Sequence, residues 1–442
     1  MVRKSLAKEE TLKVADKTAL YITTRLFWPI TDGHMTELRN HCQSLNRLGY
    51  DVHLCSFLYD RQSKEDAPNY IQSVQVLHKP KWYRRGANII GKSLFHKEWT
   101  LQAALYYSKE NETIIRAAVK CLRPDVIIVD MVRLAPYLEA ISKSDAIKIL
   151  NIEDLLSERY KRQEKMGLTS SIAGQYLRQR SLAERIISNP IIKKMVLAYE
   201  IKRVTFAESY YAFKYDACVF ISFQEATAFG KKTGLNHIYT IPIHVDYQYL
   251  ADTPFEVRIE PDTMSFLGNF SIAANRDSLI QILDSILPEI RKSLPSATLK
   301  VVGNCPDEII QCYQENHGVV FCGYVKDTRS VIRNTMLFLS PIAYGTGVKT
   351  KIVEAMAMGM PVITNEVGAE NIDAERETEL IVCDQSSDVV RRTVELLQSP
   401  DQLAAIGKNA QQLIKKRFDI GSIDQEFADL LAQVERQKAK SS

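Results

Sequence analysis

The chain has 442 residues, 45% hydrophobic and 25% charged, the composition of a soluble globular protein of two or three domains. No stretch approaches the roughly 20 uncharged apolar residues that a membrane span needs. The N-terminal MVRKSLAKEETLKVADK has basic residues but no apolar core behind them, so residues 1–18 read as an extension and not as a signal peptide.

Charge is unevenly shared behind a net of +4: residues 1–250 carry 37 Lys+Arg against 26 Asp+Glu, and residues 251–442 carry 20 against 27. The first half is therefore the basic one. Eight cysteines, at 42, 55, 121, 218, 305, 312, 322 and 383, include no CxxC pair. Their spacing argues against a disulfide or metal framework and for small core residues of a reduced, cytoplasmic protein.

In chain order, ALYITT (Ala19 to Thr24) reads as a first strand, a helix is expected from about Met35 to Leu48, and a second strand from Val52 to Phe57, with Gly49 where a helix C-terminal glycine belongs. His34, just ahead of the helix, reads as a polar loop residue in preference to a ligand contact. From His78 to Trp99 basic and aromatic residues interleave. Such a mixture suits an anionic membrane surface or a nucleic acid, and equally a solvated cationic loop. ALYYSKENETIIRAAVKCL is expected to form one helix, followed by the strands DVIIVD and IKILNIED around RLAPYLEAIS. Strand carboxyl ends line the ligand crevice of a doubly wound sheet, which places Asp130, Glu153 and Asp154 there; a strand-end carboxylate serves equally as a helix N-cap. Residues 158–212 read as long, basic and helical, with Ile186, Ile187, Ile191, Ile192, Met195 and Val196 at helical spacing. Packing on the sheet is their expected first job.

DACVFISFQEATAFGKKTG supplies a strand and a helix, and apolar periodicity lapses from Tyr247 to Pro261, where a domain boundary is expected. MSFLGNFSIAANRDSLIQIL then reads as strand, turn at Gly268 and Asn269, and helix. The strands LKVVG and VVFCGYV follow. The most informative stretch runs from Ser340 to Ile372: a buried strand, a loop from Tyr344 to Lys349 that includes Thr346 and Val348, a helix from about Thr350 to Met358, and a strand from Pro361. That is a βαβ unit. Gly345 and Gly347 let the backbone approach a ligand, the helix N-terminus attracts an anion, and Lys349 and Lys351 add positive charge. Glu354, a turn further on, is placed to accept hydrogen bonds from a sugar diol. A diphosphate carrying a ribose would satisfy all of these groups.

The segment KIVEAMAMGMPVIT followed by GAENI resembles the C-terminal donor site of glycosyltransferase family 4, whose fold is GT-B. The resemblance covers roughly Ala19 to Gln437 and is strongest from Ser340 to Ile372. It implies an α/β protein of two Rossmann-like domains with parallel sheets facing across a cleft: an acceptor domain over 19–250, a nucleotide-sugar domain over 251–418, and a C-terminal helix over 419–442 packing back toward the first domain. In the family two glutamates serve the donor. Glu354 matches the second, which binds the ribose, whereas the first falls at Thr346, a departure from the pattern. Gly33 matches a loop glycine after the first strand. Gly268, Asn269 and Arg276 match the phosphate-contacting turn, Tyr324 and Val325 the segment that meets the base, and Asp154 or Glu153 the position facing the reacting sugar.

The function implied is transfer of a sugar from a nucleotide-diphosphate donor, a UDP-sugar favoured, to a saccharide or lipid-linked saccharide. Retention of configuration and a role in cell-surface polysaccharide or glycoconjugate synthesis follow from the same resemblance. No metal or further cofactor is expected, because Lys349, a second basic group and the helix dipole neutralise the leaving diphosphate. Location is expected in the cytoplasm or at the inner membrane face, with peripheral contact to anionic lipid and no nucleic-acid partner. A protein-glycosylating transferase, a nucleotide-sugar epimerase and a catalytically silent partner subunit remain as alternatives.

Overall fold

The computed structural model describes residues 17–30, 33–59, 62–165, 190–315, 318–345 and 347–441. Thr346, Ile186, Ile187 and residues 1–16 of the expected N-terminal extension lie outside these. Among the described residues thirteen strands form two sheets. The first has the order β3-β2-β1-β4-β5-β6-β7 and the second β10-β9-β8-β11-β12-β13. The strands are β1 (Lys17–Thr23), β2 (Tyr50–Phe57), β3 (Ile71–Leu77), β4 (Val126–Asp130), β5 (Ile147–Glu153), β6 (Ala217–Phe220) and β7 (Ile238–Thr240), then β8 (Thr263–Leu267), β9 (Thr298–Val302), β10 (Val319–Gly323), β11 (Leu337–Ser340), β12 (Val362–Thr364) and β13 (Ile381–Val382). Pairing is parallel from β3 through β5 and throughout the second sheet, as helical crossovers require.

The chain divides into two compact units, one of Met1–Ile152, Thr169–Cys218 and Leu431–Ser442, the other of Glu153–Leu168 and Val219–Leu430. Residues 219–250, expected in the first domain, thus belong with the second unit. Local bonds give the reason: Val245 N–H donates to Phe418 O, and Arg329 and Arg333 bond the carbonyls of Tyr249 to Asp252.

In the second unit the period-2 alternation of strands builds two cores. Leu337, Leu339, Ile363 and Ile381 pack on one face with Leu279 and Ile282. Phe338 and Val362 pack on the other with Ile352 and Met356 of the helix Thr350–Ala357. In the first unit the nearly continuous apolar runs of β1 and β4 are buried along almost their whole length, the signature of a sheet covered on both sides.

Three local expectations are corrected. The single helix expected over 104–122 is two, Leu101–Tyr106 and Lys109–Leu122, because Ser108 is extended and its hydroxyl accepts from Asn111 N–H, restarting the helix. The basic aromatic segment, for which a solvated loop was one of the alternatives, contains a helical run, Trp82–Asn88 continuing through Ile89–Ser93. Cys121 and Cys312 are exposed, unlike the core cysteines 42, 55, 218, 305 and 383.

Gly303 follows β9 at φ +120°, and a Cβ there would lie 2.1 Å from Gly268 O. Gly303→Ala is therefore expected to destabilise the second unit by about 2–3 kcal/mol through strain and overpacking. An unchanged urea midpoint for this variant would refute the close approach.

Candidate functional site

The second sheet is entered at β8, runs outward through β9 to β10, and resumes at β11 on the opposite side of β8. Loops leaving β8 and β11 therefore part in opposite directions, and this reversal is where open parallel sheets leave a ligand crevice. Gly268 and Asn269 follow β8, and the glycine loop follows β11. Both loops are tied to the helix Ala273–Gln281. Ala343 N–H donates to Ser278 Oγ at 2.9 Å, and the Tyr344 hydroxyl to Asp277 Oδ2 at 2.8 Å. Asn275 Nδ2 donates to Asn269 O at 3.0 Å while its Oδ1 accepts from Lys351 Nζ at 2.6 Å. Gly345 and Gly347 have φ of +145° and +74°, backbone states that favour glycine. The helix Thr350–Ala357 starts beyond Lys349, which makes no side-chain capping bond, so the positive helix end is presented to the loop.

Two ammonium groups are sequestered at that helix end. Lys349 Nζ donates to Gly347 O and lies 3.9 Å from Glu370 Oε2. Burial lowers its pKa to about 8; Glu370 and Asp154 oppose the shift, and Arg162 and Arg159 reinforce it. Burial, with Lys349 nearby, lowers Lys351 to about 7. Lys351 also stands 4.7 Å over the Phe266 ring. Two cations held in this way are under-neutralised, and a polyanion delivered between the loops restores their charged forms. Glu354 is half-buried one turn after Lys351, on the same helix face.

Carboxylates and arginines of the second unit gather beside Lys349. β5 ends at Glu153, which has φ +67°, and the next residue, Asp154, is buried. Asp154 Oδ2 accepts from Arg159 Nε at 3.0 Å, so this carboxylate is an ion-pair partner of the helix Leu156–Lys165. Arg162, one turn on, pairs with Glu370. Glu225, in the first turn of the helix Phe223–Thr233, accepts from Leu155 N–H at 3.1 Å. Burial first, then the charges of Asp154 and Glu370, raise its pKa to about 7.

Among the residues expected from sequence, Gly268, Asn269, Gly345, Gly347, Val348, Lys349, Lys351 and Glu354 lie on the two loops at the β8/β11 reversal or on the helix that follows. Arg276 is on the helix joining those loops and lies 3.7 Å from Asp277. Tyr324 is exposed and Val325 half-buried just beyond Gly323, whose carbonyl bonds Gly303 N–H. Gly33 opens the helix Gly33–Arg47 in the first unit. Asn275, Arg159, Arg162, Glu225 and Glu370 were not singled out. Only Glu370, inside GAENI, carried a sequence signal.

The first unit has its own reversal, between β1 and β4. Asp130, fully buried at the end of β4, bonds His34 Nε2 at 3.1 Å and Thr24 Oγ1 at 3.3 Å. Arg25 Nε donates to His34 Nδ1 at 3.2 Å, leaving Nε2 as the proton-bearing nitrogen toward Asp130. Burial pushes the Asp130 carboxyl up, but His34 and Arg133 outweigh it and hold it below its usual value. His34 is thus a helix residue bonded to a buried acid, not the polar loop residue expected.

Comparison with known proteins agrees with this geometry. Residues 261–399 match the family model described as Glycosyl transferases group 1. A Klebsiella pneumoniae protein, an uncharacterized 44.6 kDa protein in the cps region, is 22% identical over 240 residues, 52% of this chain and 60% of that protein's length. Sucrose-phosphate synthase from Thermosynechococcus elongatus superposes with a TM-score of 0.61 at 14% identity, covering 96% of this chain and 100% of that one. Anabaena HepE in complex with UDP-glucose gives 0.59 at 14%, covering 94% and 99%. WaaG, a glycosyltransferase involved in lipopolysaccharide biosynthesis, gives 0.57 at 14%, covering 93% and 99%. Residues 261–399 thus carry a glycosyl transferases group 1 domain, and the chain has the GT-B fold of these solved structures.

Proposed function

We propose that the protein transfers a sugar from a nucleotide diphosphate, a UDP-sugar favoured, to a saccharide or lipid-linked saccharide in cell-surface polysaccharide synthesis. The observation that carries this reading is the pair of half-buried lysines, Lys349 and Lys351, held beside a glycine loop and an uncapped helix end at the β8/β11 reversal. Supporting it, HepE has been crystallised with UDP-glucose, TarM with UDP, and the Klebsiella relative is encoded in a cps region.

In this reading the diphosphate occupies the loop between Gly345 and Lys349, and Glu354 accepts from the ribose hydroxyls. The anomeric carbon–oxygen bond to the diphosphate breaks, and the acceptor oxygen bonds to the same carbon with retention. The acceptor proton leaves with the departing phosphate. Lys349, Lys351 and the helix dipole neutralise that leaving group without a resident metal. Arg162 positions Glu370 and, through it, the Lys349 ammonium. A lipid-linked acceptor would be met at the cytoplasmic face of a membrane.

Thermal unfolding against UDP, GDP, dTDP and CMP tests the donor site. UDP at a hundred times its Kd is expected to add about 2.7 kcal/mol of stability, and Glu354→Ala to abolish most of the shift. No shift with any nucleotide would move the chain to the silent-subunit alternative.

The lysines also predict a pH dependence. Both are more fully charged below about 7 and 8 respectively, so UDP-glucose, whose own charge is constant over this range, should bind with proton uptake. Its Kd is expected to climb above pH 7, toward one decade per pH unit for each proton taken up. Calorimetry in two buffers of different ionisation enthalpy measures the protons directly, and Lys351→Met should reduce them. A pH-independent Kd between 6.5 and 9 would contradict the assignment.

A further inference from the structure

From Lys79 to Lys97 the first unit carries six basic residues and no acidic one. The helical run Trp82–Ser93 inside this stretch buries only Ser93. Trp82 is 83% exposed, Ile90 62% and Phe95 76%, with Tyr83 and Leu94 also exposed. A loose loop could account for such exposure, but this segment is fastened along its inner side. Asn88 Nδ2 donates to Ala104 O and Tyr107 O at 3.0 and 2.9 Å, Ser93 Oγ to Trp99 O at 3.1 Å, and the Lys92 ammonium stands 4.1 Å over the Trp99 ring.

The long helix Pro190–Ala212 extends the same surface. Tyr199 OH donates to Ser93 O at 2.6 Å and Arg203 to Leu94 O at 3.0 Å. Glu200, fully buried, accepts from Leu101 and Gln102 N–H and locks the helix to the support of the segment. Met195, Tyr199, Lys202 and Phe206 recur at helical spacing on one face, and Met195 is 68% exposed. Rigid aromatic and aliphatic side chains, ringed by cations and held on a hydrogen-bonded base, match the chemistry of an anionic bilayer surface: rings settle at headgroup depth and Lys or Arg meet the phosphates.

We propose that the segment Trp82–Phe95, together with the exposed face of the helix Pro190–Ala212, docks this protein on the surface of an anionic lipid bilayer. The charge decides in favour of lipid over a second copy of this chain, since two such surfaces face to face would bring twelve cations together with no acid from either stretch. Docking of this kind would bring a lipid-linked acceptor to the enzyme. That consequence rests on the acceptor reading above, whereas the surface itself does not.

The test is co-sedimentation with phosphatidylglycerol/phosphatidylcholine vesicles and with phosphatidylcholine alone, for the full chain, for Trp82→Ser/Phe95→Ser, and for Lys81→Glu/Arg84→Glu/Lys97→Glu. The full chain is expected to bind the anionic vesicles and to lose binding as salt is raised. The triple charge reversal is expected to weaken it by more than about a hundredfold, since loss of its three positive charges alone costs about fivefold each. Trp82 emission should shift to the blue on binding. The proposal is overturned by absence of binding to anionic vesicles, by equal binding to neutral ones, by variants that bind as the full chain does, or by a dimer in sedimentation velocity that the same substitutions dissolve. Retention of the UDP-induced rise in Tm by every variant shows that they are folded. It also separates failure here from failure of the donor reading.

Discussion

Two lysine ammonium groups withdrawn from water are the constraint on which the candidate site depends. Burial lowers the pKa of each, Glu370 stands 3.9 Å from Lys349, and Lys351 donates to the neutral amide of Asn275. An ammonium kept short of countercharge is costly unless a ligand completes it. The glycine loop and the uncapped helix end add partial positive charge of the same sign at the same place. Three such features at a sheet reversal suit a polyanion, and under the proposed function the same preorganisation would stabilise a departing diphosphate.

The neighbouring elements make this arrangement rigid. The helix Ala273–Gln281 holds the loop after β8 through Asn275 and the loop after β11 through Ser278 and Asp277. Gly303 lets the β9 loop approach Gly268 more closely than any side chain would permit. On the other flank Arg162 binds Glu370, and Arg159 binds Asp154, so the carboxylates nearest Lys349 are themselves restrained. Glu225 differs from them: its protonation is poised near neutrality, and it caps the turn at Leu155. Asp154, singled out from its place after a strand, is occupied by an arginine that the same segment supplies.

The first unit repeats the architectural logic with different chemistry. At its reversal a buried aspartate and a histidine share a hydrogen bond and an arginine fixes the tautomer, whereas the second unit offers lysines and glycines. One places a proton-handling pair and the other a charge sink at equivalent points of two parallel sheets.

Much of this was legible in the sequence. Strand and helix periods, the glycine spacing of 345 and 347, and the EAMAMGMPV segment identified the βαβ unit, its glycine loop and the family resemblance, because those signals are local: each depends on residues within a few positions of one another. The break at Ser108 was local too, and was missed because one capping hydroxyl outweighed a helical apolar pattern on both sides. Other features were decided by distance along the chain. Arg162 and Glu370 are 208 residues apart, Lys351 and Asn275 are 76 apart, and Asp130 and His34 are 96 apart. No period encodes such pairs, since a parallel sheet sets which loops meet through strand order and not through proximity in sequence. By itself the sequence determined the fold class and the place of the glycine loop and its two lysines. Only the tertiary structure decided which charges are buried together, because burial and the pKa shifts that follow from it belong to the packed sheet and not to the residues one by one.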